Sequence, residues 1–185
     1  EKIYLSNLPR VKDIETMINL LKSIGSNIKI NSDKKSLSIT NNKKLKFFAP
    51  YNLVKTMRAG ILVLGPMLAR FHKAKVSLPG GCSIGTRPID IHLNCLSKLG
   101  VDYKISNGYV YASANNGLVG AKIKFPKISV GATENLIIAA SMAKGTSILS
   151  NCAIEPEIKD LVNFLNKIGA KIRWIGKRTV KIFGV

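Results

Sequence analysis

Asp90-Ile91-His92-Leu93-Asn94-Cys95-Leu96-Ser97-Lys98-Leu99-Gly100-Val101-Asp102-Tyr103-Lys104-Ile105-Ser106-Asn107-Gly108-Tyr109-Val110-Tyr111 reads as a helix followed by a hairpin. An acidic residue close behind Pro88 suits a helix's first turn. Apolar residues then recur at helical spacing, and Gly100 stands where a left-handed residue ends a helix. The alternating segments Asp102–Ile105 and Tyr109–Tyr111 flank Asn107-Gly108, a strong short-range hairpin signal. The same order occurs twice more. Asp13 to Gly25 precedes Asn27–Ile30, a turn at Ser32-Asp33, and Leu37–Ile39. Glu157 to Gly169 precedes Lys171–Trp174, a turn at Gly176, and Val180–Phe183. The three glycines are 75 and 69 residues apart, so the chain repeats itself.

Two further segments, Leu53 to Phe71 and Ala132 to Ala143, are apolar on most faces and rich in small residues. A helix apolar nearly all round is buried. Each unit therefore reads strand, buried helix, strand, amphipathic helix, hairpin, with repeats at about 1–47, 48–115 and 116–185. Glu1 to Leu8 enters directly as the strand before the amphipathic helix, so the first repeat is incomplete by about 35 residues on internal symmetry. The expectation is one α+β domain of threefold pseudosymmetry, with buried helices inside and sheets and amphipathic helices outside.

The 185 residues suffice for one substantial core. The longest apolar run, Ile61 to Leu68, is broken by Gly65-Pro66 and is too short to span a bilayer. Three cysteines, Cys82, Cys95 and Cys152, are odd in number and lack metal-type spacing, as do His72 and His92. Free thiols point to a reducing compartment, hence the cytoplasm. The net charge of +19 comes from 23 Lys and 6 Arg against 10 acidic residues. Lysine enriched alongside Asn and Ile matches an AT-rich genome. The lysines are dispersed, with a modest cluster at Lys43-Lys44-Lys46, and no aromatic residues interleave with them as base-stacking platforms require. The charge fits attraction of a polyanionic small molecule better than specific nucleic-acid binding.

Chemistry concentrates in Leu78-Pro79-Gly80-Gly81-Cys82-Ser83-Ile84-Gly85-Thr86-Arg87-Pro88-Ile89-Asp90. Glycines free the backbone to present N–H groups to an anion. Cys82 lies at the loop's centre with Arg87 five residues on, and positive charge lowers a thiol's pKa. A bland alternative is a turn holding a small apolar residue. The loop suggests a phosphate- or carboxylate-bearing substrate held beside a proton donor or nucleophile.

The chain resembles the UDP-N-acetylglucosamine enolpyruvyl transferases essentially end to end. The resemblance is carried by Ala49–Ala59, by Leu64-Gly65-Pro66 with Leu68–Phe71, by the cysteine loop, and by Lys127–Asn135. It implies the enolpyruvyl transferase fold, in which each domain has three βαβαββ units forming an inside-out α/β barrel, and it matches one domain only. The family's N-terminal Lys-Asn pair, its second domain and the general base that domain carries are not matched. By resemblance, Cys82 is the general acid toward phosphoenolpyruvate. Arg58 and Arg87 face phosphate and carboxylate groups, for which a planar guanidinium is suited. Arg87, Pro88, Ile89, Asp90 and Ile91 cradle the uridine end. Asp90 accepts from the uracil N–H and its aliphatic neighbours cover the ring. Lys127, Ile128, Ser129, Val130 and Gly131 form a second nucleotide-sugar strip. Alternatives stay open: Arg58 satisfying buried carbonyls, Asp90 capping its helix, Ser129 and Gly131 starting the buried helix. Gly60 and Thr86 stand where other small residues are expected.

The resemblance implies transfer of the enolpyruvyl group of phosphoenolpyruvate to the 3′-hydroxyl of UDP-N-acetylglucosamine, releasing phosphate, as the first committed step of peptidoglycan synthesis. No cofactor or membrane is implied, and this stretch alone is expected to be inactive. Alternatives are a non-catalytic relic and a basic nucleic-acid-binding or RNA-end-processing domain. The shikimate-pathway enolpyruvyl transferase shares the fold and is disfavoured by the cysteine loop.

Overall fold

The computed structural model describes residues 2–32, 35–41, 44–80 and 89–185. Its elements fall into three sheets. The first unit holds β1 (Lys2–Leu5), α1 (Lys12–Ile24), β2 (Ser26–Ile30) and β3 (Leu37–Asn41), with antiparallel strand order β1-β3-β2. The second begins with β4 (Phe48–Ala49), α2 (Tyr51–Val54), a 3-10 helix (Arg58–Val63) and α3 (Leu64–Phe71). It continues with β5 (Lys73–Ser77), α4 (Asp90–Ser97), β6 (Asp102–Ser106) and β7 (Tyr109–Ser113). Its sheet runs β4-β5-β7-β6, with only β4 and β5 parallel. The third comprises β8 (Lys122–Lys124), α5 (Val130–Ser141), β9 (Thr146–Ser150), α6 (Pro156–Lys167), β10 (Lys171–Gly176) and β11 (Thr179–Phe183). Its order, β10-β11-β9-β8 with β8 and β9 parallel, is that of the second sheet. The class is α+β, and among the described residues the first sheet has no counterpart of the strand that lies parallel to its neighbour in the other two.

Local chemistry explains the repeated helix-to-hairpin joints. Gly25, Gly100 and Gly169 follow α1, α4 and α6 with φ of 114°, 89° and 108°, a region costly for any residue with a Cβ. The Gly25 N–H donates to the carbonyls of Leu21 and Lys22, closing α1. At the hairpin tip, Asn107 and Gly108 both have positive φ (49° and 75°), the twist-compatible two-residue turn.

The apolar stretch 53–71 is not one helix. It breaks at Met57, which is extended (φ −140°, ψ 122°), and tightens into the 3-10 helix before α3 starts. Gly60 permits this fold-back: a Cβ there would lie 3.0 Å from Val54 Cγ1 and 3.1 Å from Val54 Cα. Pro66 sits in the first turn of α3, where its missing N–H has no intrahelical partner to lose. Apolar periodicity runs through both interruptions because residues on either side face the same core.

That core centres on α5. Ala132, Leu136, Ile137, Ala139, Ala140 and the following Ala143 are fully buried. Small residues bring neighbours close. A Cβ at Gly65 of α3 would sit 2.6 Å from the Asn135 carbonyl oxygen. Cys95 and Cys152 are free and buried.

The outer face of the second sheet corrects one sequence expectation. Register aligns Phe48 with Lys75, Lys75 with Tyr111, and Tyr111 with Lys104 across four strands. Lys75 Nζ lies 4.9–5.2 Å from the ring centroids of Tyr109, Tyr111 and Phe48. Aromatic and cationic residues thus do interleave. They do so between strands rather than along the chain, so a linear scan misses them.

Candidate active site

Three helices that carry candidate residues meet at Asn135 of α5, which bonds to Ile61 of the 3-10 helix and lies against His92 of α4. The 3-10 helix begins with Arg58, α4 begins with Asp90, and Ser129 precedes α5. Ser129 is the N-cap of α5. Its Oγ accepts from the Ala132 N–H at 3.3 Å, and its carbonyl accepts from Thr133 Oγ1 at 2.7 Å. Thr133 Oγ1 in turn accepts from the Ala153 N–H at 3.1 Å, tying the helix start to the chain after β9. The Ser129 hydroxyl keeps its own proton to donate, so capping and ligand contact are compatible. Val130 and Gly131 follow in the first turn, where backbone N–H groups have no intrahelical acceptor.

Asn135 bonds to Gly65 of α3, Ile61 of the 3-10 helix and His92 of α4. Its Oδ1 accepts from the Gly65 N–H at 2.9 Å, which fixes the amide's orientation. Its Nδ2 donates to the Ile61 carbonyl at 3.1 Å and lies 2.9 Å from His92 Nδ1. Nδ2 can only donate, so Nδ1 accepts and the neutral ring carries its proton on Nε2. The Cε1–Nε2 edge of His92 faces Gly131: a Cβ there would lie 3.3 Å from Cε1 and 3.5 Å from Nε2. Leu62 of the 3-10 helix approaches the same point, at 3.9 Å. Burial lowers the His92 pKa from 6.5 to about 4, and the Asp90 carboxylate opposes that only in part.

The residues singled out in the sequence divide as follows. Arg58 is exposed and opens the 3-10 helix; among the described residues it satisfies no buried carbonyl. Asp90 is exposed and is the first residue of α4, whose N-cap is Ile89, so Asp90 contributes first-turn charge rather than the cap. Ile89 is half-buried against the core. Ile91 is 5 % exposed. Its side chain therefore belongs to the core, whereas Ile89 keeps part of its surface open. Lys127 and Ile128 are exposed; Ser129, Val130 and Gly131 are half-buried. Cys82, Arg87 and Pro88 lie outside the described residues, as does Thr86. The described ends of their loop are placed. A Cβ on Gly80 would collide with the Lys55 carbonyl, three residues before Arg58, and the loop returns at Ile89.

Burial raises the Cys95 thiol pKa, with Lys98 opposing, and pushes Cys152 up to about 12. Burial, reinforced by Glu157, raises Glu134. His72 ends α3 in a left-handed conformation (φ 55°) and its N–H donates to Leu68. Among the described residues no cluster of His, Cys, Asp and Glu could hold a metal ion, and no helix is long and apolar enough to cross a membrane.

Sequence reasoning passed over Asn135 and His92. The available signal was a fully amide-bearing residue inside the most apolar helix of the chain, where an unpartnered Asn would be costly.

A family model for EPSP synthase (3-phosphoshikimate 1-carboxyvinyltransferase) matches residues 1–185. A protein of Pelagibacter ubique (strain HTCC1062) named UDP-N-acetylglucosamine 1-carboxyvinyltransferase is 72% identical over all 185 residues, which cover 44% of its length. One of the same name from Coxiella burnetii (strain Dugway 5J108-111) is 48% identical over the whole chain and 42% of its own length. Among solved structures, the enolpyruvyl transferase NikO from Streptomyces tendae superposes with a TM-score of 0.84 at 18% identity, over the whole chain and 43% of that protein. EPSP synthase from Acinetobacter baumannii gives 0.76 at 15% identity, over 99% of the chain and 41% of that protein. These structural likenesses establish the fold. The chain thus spans less than half the length of the relatives it matches, and over its full extent it belongs to the EPSP synthase (3-phosphoshikimate 1-carboxyvinyltransferase) family.

Proposed function

We propose that this chain supplies the nucleotide-sugar side of the cleft of a UDP-N-acetylglucosamine 1-carboxyvinyltransferase acting in peptidoglycan synthesis in the cytoplasm. The observation that carries the reading is that one buried amide on α5, Asn135, bonds to Ile61 of the helix that Arg58 opens and to His92 of the helix that Asp90 opens. The substrate is taken from the name of the relative at 72% identity. Asp90 would accept from the uracil N–H, and Lys127, Ser129 and the first N–H groups of α5 would meet the diphosphate. Arg58, with Arg87, would face the anionic groups of phosphoenolpyruvate. Pro88, Ile89, Ile128 and Val130 would flank the nucleotide. Ile91 would take part only through its backbone.

The reaction is addition then elimination. The sugar 3′-oxygen forms a bond to C2 of phosphoenolpyruvate while Cys82 delivers a proton to C3. The C2–O bond to phosphate then breaks as a C3 proton leaves, restoring the double bond. The cationic groups lower the cost of bringing two polyanions together. A base for the 3′-hydroxyl would come from a second domain of the same protein, which would also close the cleft against water. The repeat boundaries of about 1–47, 48–115 and 116–185 belong to this reading. The test is phosphate release from phosphoenolpyruvate and UDP-N-acetylglucosamine. The intact protein should turn over and the 185-residue chain should stay at background. Absence of turnover by the intact protein, with binding of 3-phosphoshikimate in place of the nucleotide sugar, would overturn the assignment.

A further inference from the structure

Asn135 is fully buried, and its side chain bonds to three other elements at once. Gly65 belongs to α3, Ile61 to the 3-10 helix that starts with Arg58, and His92 to α4, two residues after Asp90. Asn135 itself is on α5, six residues after Ser129. Arg58 and Ile61 are three apart on a 3-10 helix and so share one face. No other described side chain bonds to all the elements carrying the candidate substrate groups.

We propose that Asn135 and His92 are a positioning pair: Asn135 fixes the 3-10 helix, α4 and α5 in register, and holds His92 as the neutral tautomer whose Nε2–H faces the start of α5. This rests on the reading of the Asp90 and Ser129–Gly131 region as the nucleotide-sugar site. Two consequences follow from the hydrogen-bond geometry. First, the amide accepts once and donates twice, so no partner can be exchanged for water without leaving another buried group unpaired. Second, a proton on Nδ1 would set N–H against N–H, so the pair holds only with the ring neutral. His92 is 8 % exposed, and Nε2 meets no acceptor among the described residues. It is a fixed, uncharged donor facing Gly131 in the first turn of α5. A neutral donor there adds a hydrogen bond to an incoming diphosphate oxygen, and the site needs no proton uptake to form it.

The test uses the intact protein at pH 7, with two measurements on each variant. Imidazole nitrogen correlation spectra give the His92 tautomer, and calorimetry gives the Kd for UDP-N-acetylglucosamine. Wild type should show the Nε2–H tautomer and bind the nucleotide sugar. Asn135→Asp, nearly isosteric, keeps the bond from Gly65 but presents an acceptor to both Ile61 and Nδ1. It should convert His92 to a form carrying a proton on Nδ1 and weaken binding about tenfold or more. His92→Phe, which keeps the ring shape and removes both nitrogens, should weaken binding similarly. His92→Gln, whose Oε1 can accept from Asn135, should recover several-fold of that loss. These variants bypass any failure of Asn135→Asp to fold. An Nδ1–H tautomer in wild type would overturn the proposal. So would an Asn135→Asp protein with an altered His92 signal and unchanged Kd. A wild type with the expected tautomer and no affinity for the nucleotide sugar would instead remove the functional reading, and the positioning role with it.

Discussion

Acidification should weaken this fold through His92, because the ring is buried in its neutral form. The ring is buried neutral, and its pKa falls from 6.5 to about 4 mainly because burial penalises the cation. Below pH 6.5 the unfolded chain takes up a proton that the folded chain refuses until about pH 4. Stability is therefore intact at neutral pH and falls as pH drops through that window. At ~1.4 kcal/mol per pH unit, the gap corresponds to about 3 kcal/mol in full, of which about 2 kcal/mol is lost by pH 5. That loss lowers Tm by about 4–8 °C for a domain of this size. The assay is urea unfolding followed by circular dichroism at pH 7, 6, 5 and 4, on wild type and His92→Gln. The Glu134 carboxyl, raised by burial and Glu157, works in the opposite direction, favouring low pH, and is common to both proteins. The informative quantity is the difference between them. The stability advantage of wild type over His92→Gln should shrink by about 2 kcal/mol from pH 7 to pH 5. A difference that stays constant with pH would refute the argument, because it would mean that His92 titrates alike folded and unfolded.

Close packing gives a second expectation. Gly65→Ala should cost about 1–3 kcal/mol or more, because its methyl would press on the Asn135 carbonyl and amide oxygens. Gly176→Ala, whose Cβ would meet only Thr179 side-chain atoms at 3.6 and 3.7 Å, should cost much less; thermal melts of the two compare them. Among the thiols, an epoxide inhibitor such as fosfomycin should alkylate Cys82 in the intact protein and spare Cys95 and Cys152, whose burial keeps them protonated. Mass mapping that found all three equally labelled would remove the case for a special loop environment. The lysine-and-aromatic face of the second sheet should give any bound oligonucleotide a steep salt dependence and no sequence preference, with binding lost well below about 200 mM salt. Tight, sequence-selective binding at physiological salt would contradict the enzyme reading.

The repeat was legible because it is written in local chemistry. A first-turn acid, a left-handed glycine and an Asn-Gly tip each act within a few residues, and Gly25, Gly100, Gly169 and Asn107-Gly108 fall where those signals placed them. The interruption at Met57 was not legible, since it depends on Gly60 meeting Val54 after the chain turns back. The same limit hid the site's organisation. Ser129, Arg58 and Asp90 could be picked out by type and by resemblance. That one amide lies 2.9 Å from an imidazole and bonds to two further elements is a property of packing among α3, α4 and α5, with no counterpart in spacing. The burial of Ile91 was not legible for a related reason: an aliphatic residue in a helix's first turn reads alike whether it is exposed or fills the core.

The three-stranded sheet has a consequence of its own. In the other two sheets a short strand lies parallel beside β5 or β9; the corresponding flank of β1 carries no strand among the described residues. Within the described residues the backbone donors and acceptors of Lys2–Leu5 on that side have no strand partner, and Tyr4 is 68 % exposed. Such an edge accepts any extended segment that arrives. Prepared as an isolated piece, this chain should lengthen that sheet with a neighbouring copy as concentration rises. A short peptide laid parallel to β1 would end the process, since it would leave only its own narrow margin for the next arrival.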